Sequence, residues 1–233
     1  MITKFGSIMK DPSRSTENLA VHLPKNRKVL IVDGLDGWNA LCFAFKEHHV
    51  TIYEPIHYFV HGGVVIDHEI KYKIHGLNKR VNGYKLNKRV SCIEENYYEN
   101  TPIRRYDLVY ANRTLSRDCN AHISIKDKIK TLISSVNEQG ELYLVYLLAI
   151  DEDDYETYPA NQYPRTGEVP MYFDNENWEV IMIRERSKVR LEKGHFGNPK
   201  DHYHKYGYIH VRRKKSKQID ASKHIFRYSI SIG

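Results

Sequence analysis

Residues 28–45 read KVLIVDGLDGWNALCFAF. The first five are largely apolar and have the length of a strand that is buried on both faces of a parallel sheet. The glycines of DGLDG, residues 33–37, predict a turn, and the residues after it predict a helix. A second strand, residues 50–53, follows and ends at the acid Glu54. This succession predicts one β-α-β unit, whose crossover should be right-handed.

The rest of the chain continues the alternation of strands and helices. Apolar residues recur at helical spacing over 123–136, and a strong apolar run follows at 141–148. These patterns predict a helix and then a strand. Further strands are predicted at 90–93, 106–110, 141–148, 178–183 and 208–213, the helix at 123–136, and a loop at 151–163. The pattern predicts an α/β fold.

The length of 233 residues suits one domain. We expect an N-terminal lead-in at 1–27 with a short helix, a folded domain at 28–215, and a C-terminal tail at 216–233. Within the domain, residues from about 58 to 89 fit no regular pattern and are expected to form an irregular insertion.

The net charge of +7 is unevenly distributed. Residues 184–217 contain 12 basic and 3 acidic side chains, and residues 71–89 contain 7 basic and no acidic ones. Such runs can bind phosphate-bearing partners, but they are also typical of the solvated faces of ordinary domains. We favour the second interpretation, so nucleic acid is a possible partner and not the favoured one.

Targeting and cysteine patterns point to the cytoplasm. No apolar run approaches the roughly 20 residues that span a bilayer, and the first residues lack the features of a secretory signal. Cys42, Cys92 and Cys119 are odd in number and widely spaced, which fits neither a disulfide framework nor a zinc site. We therefore predict a cytoplasmic protein without a membrane partner.

The opening unit also predicts a binding site. A glycine turn before a helix can place backbone N–H groups against a ligand, and an acid about 20 residues later can reach a ribose diol. Asp33, Gly34 and Gly37 occupy the turn, and Glu54 occupies the place of the acid.

Residues 29–41, VLIVDGLDGWNAL, resemble the first motif of class I S-adenosylmethionine-dependent methyltransferases. More narrowly, they are similar to the tellurite-resistance branch, in which the glycine-rich turn runs into Gly-Arg-Asn-Ser/Ala-Leu. The resemblance covers roughly 28–55 and 105–215. It implies a Rossmann-like sheet that is mostly parallel, with an antiparallel last strand and helices on both faces.

The resemblance makes two structural predictions. Residues 208–213 should pair antiparallel with 141–148. Glu54 and Asn112 should lie at the same, carboxyl, end of the sheet, where open α/β sheets bind ligands.

The cofactor implied by the resemblance is S-adenosylmethionine. Glu54 would bind its ribose, Glu94 or Glu95 would lie near its adenine, and Asn112 would lie beside the transferred methyl group. The sequence departs from the family at three positions, since the family has an acid at Ile31 and glycines at Asp33 and Leu35. A remodelled turn could let Asp33 replace that acid and Gly34 provide the close approach to the cofactor.

The predicted activity is methyl transfer to a small molecule or a peptide group. The alternatives are a non-catalytic binding protein on a degenerate methyltransferase fold, or an RNA-modifying methyltransferase. No catalytic residue and no oligomeric state are assigned, and no metal is expected, because neither a cysteine nor a well-spaced carboxylate completes a site around the late histidines. The residues expected on the substrate side are Arg113, His195, His202 and His204.

Overall fold

The computed structural model describes residues 3–5, 14–67, 69–101, 104–192 and 200–215. The helices are α1 (Arg14–His22), α2 (Trp38–Phe45), α3 (His57–His61), α4 (Leu77–Gly83), α5 (Ile125–Ser134) and α6 (Glu152–Thr157). The strands are β1 (Thr3–Phe5), β2 (Lys28–Val32), β3 (His49–Tyr53), β4 (Gly63–Asp67), β5 (Ile70–Ile74), β6 (Val90–Ile93), β7 (Tyr106–Asn112), β8 (Val136–Leu147), β9 (Trp178–Glu192) and β10 (His202–Arg213).

Seven strands form the main sheet in the order β6-β3-β2-β7-β8-β10-β9. The strands β6, β3, β2, β7 and β8 are parallel neighbours, whereas β10 runs antiparallel between β8 and β9. Tyr208 pairs with Val145 in this antiparallel contact. The predicted pairing of 208–213 with 141–148 is therefore confirmed, and so is the predicted sheet architecture.

The central strands are buried because helices cover both faces of the sheet. On one face, apolar side chains of α1, α2 and α4 pack against β2, β3 and β8. On the other face, α5 packs against β7, β8 and β10. Residues 29–32 of β2 are each at most 2% exposed, which explains their continuous apolar run.

Three of the predicted strands are much longer in the structure. β8 begins at Val136, β9 continues to Glu192, and β10 begins at His202. The residues missed in β9 and β10 are mostly polar, and their backbone groups are nevertheless paired in the β9–β10 hairpin. The predicted loop at 151–163 contains the short helix α6, which Asp151 caps by accepting a hydrogen bond from Asp154 N at 3.1 Å.

The segment 58–89 differs from the expected irregular insertion. The antiparallel hairpin of β4 and β5 lies between the helices α3 and α4. β1 pairs parallel with β5, so the N-terminal segment completes a second, three-stranded sheet. The limits proposed for the domain and for its flanking segments stay a prediction.

Within the described part of the chain, no helix combines the length and the apolar character needed to cross a membrane.

Candidate functional site

The parallel strands of the main sheet end at one edge, which we call the carboxyl edge. Val32, the last residue of β2, pairs with Tyr53 of β3 on one side and with Ala111 of β7 on the other. Glu54 and Asn112 directly follow these two partners, so they lie at the same edge, as the sequence predicted. Asn112 is half-buried there and ends β7.

The turn after β2 keeps a conformation that suits glycine, although only some of its residues are glycines. Asp33 and Leu35 have positive φ values of 55° and 53°, and Gly37 has a φ of 88°. Asp visits this left-handed region at modest cost, whereas a leucine there is strained by about 1 kcal/mol. The backbone therefore follows a glycine-type path at Asp33 and Leu35, the two positions where the resembling family has glycine.

Neighbouring elements hold the turn in place. A Cβ atom on Gly34 would lie 2.4 Å from Ile52 Cγ2, so only glycine fits between the turn and β3. Arg80 of α4 forms an ion pair with Asp36 at 3.3 Å, and its guanidinium lies 4.7 Å from the ring centroid of Trp38. These contacts anchor the turn to α4.

Glu54 is fully buried, and its carboxylate accepts four N–H donors. Oε2 accepts from Leu35 N at 2.7 Å, and Oε1 accepts from Ile56 N at 3.1 Å. Arg117 donates to both oxygens, at 3.0 Å and 3.5 Å. Burial raises the pKa of Glu54 above its ordinary value, although the charge of Arg117 opposes the shift. Since a carboxylate offers about four acceptor positions, these donors occupy all of them.

Asp33 forms a second buried carboxylate beside Glu54. Its Oδ2 accepts hydrogen bonds from Thr114 Oγ1 and from Asn120 Nδ2, the latter at 2.8 Å. Burial raises the pKa of Asp33, and the Arg117 charge again opposes the shift. The other oxygen, Oδ1, is buried without a hydrogen-bond partner in the structure. Such an atom is a favourable acceptor for a hydrogen-bond donor of a ligand or of a water molecule.

We call the five residues Asp33, Glu54, Thr114, Arg117 and Asn120 the inner cluster. It lies where β2 and β3 end and is closed by the chain that follows β7.

The two acids expected near the adenine lie outside the inner cluster. Glu95 is exposed at the end of β6. Glu94 is also exposed, and its two oxygens contact His57 Nδ1 at 2.8 Å and His61 Nε2 at 2.7 Å. The hydrogen bonds from these imidazoles lower the pKa of Glu94.

A second group of polar side chains lies at the other half of the carboxyl edge. Arg113 donates both guanidinium nitrogens to Glu192, at 3.0 Å for the Nη1–Oε2 bond, and Tyr206 also donates to Glu192. Glu192 Oε2 faces the Nε2 atoms of His202 and His204. We call these five residues the hairpin cluster, because four of them belong to the β9–β10 hairpin.

The structure thus brings together three of the four residues expected on the substrate side, namely Arg113, His202 and His204. His195 lies outside the described residues. Glu192 supplies a nearby carboxylate that the sequence did not reveal, because β9 was predicted to end nine residues earlier. A prediction that extended the β9–β10 hairpin until His202 pairs with Glu192 would have revealed this carboxylate.

The residues that close the inner cluster were also missed. Thr114 is 81 residues from Asp33 in the chain, and Arg117 is 63 residues from Glu54. Their location directly after a predicted parallel strand was the available signal, since such residues lie at the ligand-binding edge.

No protein-family model and no curated protein matches the sequence. Solved structures do match. TehB from Haemophilus influenzae superposes with a TM-score of 0.62 at 16% identity, over 87% of this chain and 63% of TehB. The match therefore spans less than two thirds of the TehB chain.

The 1,6-didemethyltoxoflavin-N1-methyltransferase of Burkholderia thailandensis matches 87% of this chain and 78% of its own, with a TM-score of 0.52 at 12% identity. The chain has the methyltransferase fold. This is the fold of class I S-adenosylmethionine-dependent methyltransferases. The matching structures include TehB, which belongs to the tellurite-resistance branch that the first motif resembles. The [4+2]-cyclase SpnF also matches, with a TM-score of 0.59 at 11% identity over 86% of this chain and 80% of its own. The methyltransferase fold therefore does not by itself assign a reaction.

The residues at the inner cluster fit the cofactor of this fold. The turn keeps its left-handed positions, a buried acid follows β3, and Asp33 Oδ1 offers a buried acceptor that has no hydrogen-bond partner. Within the cluster, Arg117 is the side chain that occupies acceptor positions on Glu54; the other two donors are backbone N–H groups.

Proposed function

We propose that the protein is an S-adenosylmethionine-dependent methyltransferase that acts on a small molecule or an exposed peptide group. The observation that carries the proposal is the pair of buried carboxylates, Asp33 and Glu54, at adjacent strand ends beside a glycine-type turn. Bound S-adenosylmethionine supplies an electrophilic methyl group on a sulfonium. The chain then has to bind the cofactor, align the acceptor and exclude water.

Glu54 is the residue that we expect to hold the ribose. Its carboxylate can accept hydrogen bonds from both hydroxyls of a diol. Because Arg117 donates to the same two oxygens, ribose binding requires Arg117 to turn away from Glu54. In the conformation that binds Glu54, the Arg117 guanidinium also lies 5.7 Å from the ring centroid of Phe59.

Asp33 is the residue that we expect to hold the ammonium group of the cofactor's methionine part. The acceptor Oδ1 is buried, and the hydrogen bonds from Thr114 and Asn120 fix the orientation of the carboxylate through Oδ2. A cation there would relieve the cost of the buried negative charge. Gly34 and Gly37 let the backbone pass closely, and Asn112 lies at the end of the neighbouring strand.

The hairpin cluster is the expected substrate side. Arg113, His202 and His204 lie at the same edge as the inner cluster and provide cationic and hydrogen-bonding groups. Such groups suit a small anionic or polar acceptor. The methyltransferase of the matching toxoflavin structure holds 1,6-didemethyltoxoflavin and S-adenosylhomocysteine, and this supports a small-molecule acceptor over a nucleic acid here.

We also propose that the reaction takes place in the cytoplasm. The cysteines Cys42, Cys92 and Cys119 are free thiols in the structure, which suits a reducing compartment.

The cofactor proposal is tested by calorimetric titration of the full chain with S-adenosylhomocysteine. We expect submillimolar binding by the wild type. Glu54→Gln should bind at least about 10-fold more weakly, because charge-assisted hydrogen bonds are worth about 1.5–3 kcal/mol.

Glu141→Gln is the matched control. Glu141 is a half-buried acid that, like Glu54, has a charged partner, here His210 and Arg212, but it lies toward the other end of the sheet. Its replacement should leave the affinity for S-adenosylhomocysteine unchanged. A wild type that does not bind at millimolar ligand would refute the proposal and favour a non-catalytic protein on this fold.

A further inference from the structure

The hairpin cluster directs two imidazoles and one carboxylate to a common point. His202 and His204 lie on the same face of β10, since side chains alternate along a strand, and their ring centroids are 4.7 Å apart. Glu192 lies opposite His202 in the β9–β10 register. One ligand atom of each of the three residues lies within 4.8 Å of the other two.

The distances resemble those between the ligands of one metal ion. Glu192 Oε2 is 3.8 Å from His202 Nε2 and 4.0 Å from His204 Nε2, which is longer than the roughly 2.7–3.2 Å of a hydrogen bond. Around a tetrahedral ion with bonds of about 2.0–2.1 Å, ligand atoms lie about 3.4 Å apart. The two distances from Glu192 Oε2 to the imidazoles therefore need to shorten by only about half an ångström around an ion.

A second group of the same composition shows the contrast. His57 and His61 contact Glu94 directly, at 2.8 Å and 2.7 Å, which are hydrogen-bond distances. The side chains of His57 and Glu94 are 74% and 36% exposed, whereas those of Glu192, His202 and His204 are 12%, 15% and 13% exposed. The hairpin group is the better shielded from water.

The carboxylate of the hairpin group is held in place by other residues. Arg113 binds Glu192 through both guanidinium nitrogens, and Tyr206 donates to its Oε1. Hydrogen bonds of this kind orient the ligands of metal sites and are a regular part of their construction. Arg113 also lies 5.2 Å from the ring centroid of Tyr206, so the two supporting residues are packed together.

We propose that Glu192, His202 and His204 bind one divalent transition-metal ion of the zinc type. Two imidazole nitrogens and one carboxylate oxygen suit such an ion, and three protein ligands leave at least one coordination position open. The open position would accept a polar group of a molecule bound at the carboxyl edge. The metal site goes beyond methyl transfer and does not depend on it.

The experiment is a titration of metal-free, full-length protein with Zn²⁺ by calorimetry and with Co²⁺ by visible absorption. We expect the wild type to bind an ion at this site in the micromolar range or more tightly. The double variant His202→Ala/His204→Ala should lose at least about 100-fold in affinity for that ion, since removing ligands costs more than the 10–100-fold of a supporting residue.

The double variant His57→Ala/His61→Ala is the matched control and should retain the ion. Glu192→Gln preserves the size of the side chain and should weaken binding while the circular dichroism spectrum stays that of the wild type. The proposal is overturned if the wild type binds no ion at submillimolar Zn²⁺. It is equally overturned if His202→Ala/His204→Ala binds as the wild type does, or if binding is lost in the His57→Ala/His61→Ala control instead.

Discussion

The inner cluster and the hairpin cluster contain the same ion pair in two different environments. In each, an arginine donates from both Nη1 and Nη2 to the carboxylate of a glutamate. The two arginines, Arg117 and Arg113, belong to the same stretch after β7. Glu54 is fully buried and Arg117 is 14% exposed. Glu192 is 12% exposed and Arg113 is 37% exposed. Chemically similar pairs therefore differ in how much water reaches them.

This difference gives the two ion pairs different roles. The Glu54–Arg117 pair is buried within the inner cluster, whereas the Glu192–Arg113 pair holds a carboxylate in place at a more accessible position. Removing a charged partner is costly where the remaining charge has no water, and it is cheap where water can replace the partner. Glu54 also accepts the backbone N–H groups of Leu35 in the turn and of Ile56 after β3, whereas Glu192 faces two imidazoles. We therefore expect the inner cluster to matter most for stability and for cofactor access, and the hairpin cluster to matter most for what binds beside it.

The largest expected effect is that of Arg117→Met. The substitution leaves the Glu54 carboxylate buried without its charge partner, which should lower the free energy of unfolding by about 3–5 kcal/mol. Arg113→Met, in the half-exposed pair, should lower it by about 1 kcal/mol or less. Equilibrium unfolding in urea, followed by circular dichroism, measures both values.

A double variant keeps this comparison informative if Arg117→Met alone folds poorly. Replacing both partners, as in Glu54→Met/Arg117→Met, removes the stranded charge and should recover a large part of the loss. Equal losses for Arg117→Met and Arg113→Met would mean that the difference in exposure does not control the energetics of these pairs.

The sequence predicted the parts of the carboxyl edge that depend on local pattern. The strand–turn–helix at 28–45 is a local signal, and the resemblance added the order of the later strands; both expectations are confirmed by the sheet. Glu54 and Asn112 were placed correctly at one edge because the ends of parallel strands coincide there. The roles proposed for them stay a prediction.

The partners of these residues could not be predicted in the same way. Arg117 and Asn120 follow β7 in short turns whose path depends on tertiary packing, and neither has a periodic signal. Glu192 lies in the polar end of β9, a strand at the edge of the sheet. Because an edge strand has one neighbour and two partly solvated faces, it needs few apolar residues, and its length does not register in an apolar pattern.

The buried Lys128 gives a pH-dependent test of the stretch that carries both arginines. Its Nζ donates to Leu115 O at 2.8 Å and to Asn161 O at 2.9 Å, which anchors the chain between Arg113 and Arg117. Burial lowers the pKa of Lys128 from 10.5 to about 8, although the charges of Asp33 and Cys119 oppose the shift.

The sign of the effect follows from proton binding. Between the folded pKa of about 8 and the ordinary value of 10.5, the unfolded chain binds the proton more tightly, so stability rises with pH across this window. Relative to Lys128→Met, the wild type should gain about 2 kcal/mol of unfolding free energy from about pH 7 to about pH 10. Urea unfolding at both pH values measures the gain. Lys126 is at an exposed position of the same helix, so the wild type should show no such gain relative to Lys126→Met. A gain of similar size in that second comparison would contradict the assignment to Lys128.

The smallest expected effect concerns the strained leucine of the turn. Leu35→Gly removes the cost of a left-handed leucine, which offsets most of the flexibility that glycine adds to the unfolded chain, so stability should change by less than about 1 kcal/mol. It also removes the side chain at a position where the family has glycine, so S-adenosylhomocysteine should bind about 3- to 10-fold more tightly, equivalent to about 1 kcal/mol. Lys85→Gly is the control, since Lys85 has a similar φ of 58° but lies away from the turn, and it should leave ligand binding unchanged. Calorimetric titration of the three proteins measures these affinities. Weaker binding by Leu35→Gly would contradict this expectation. It would show that the leucine side chain contributes to ligand binding in the conformation that the turn has in the structure.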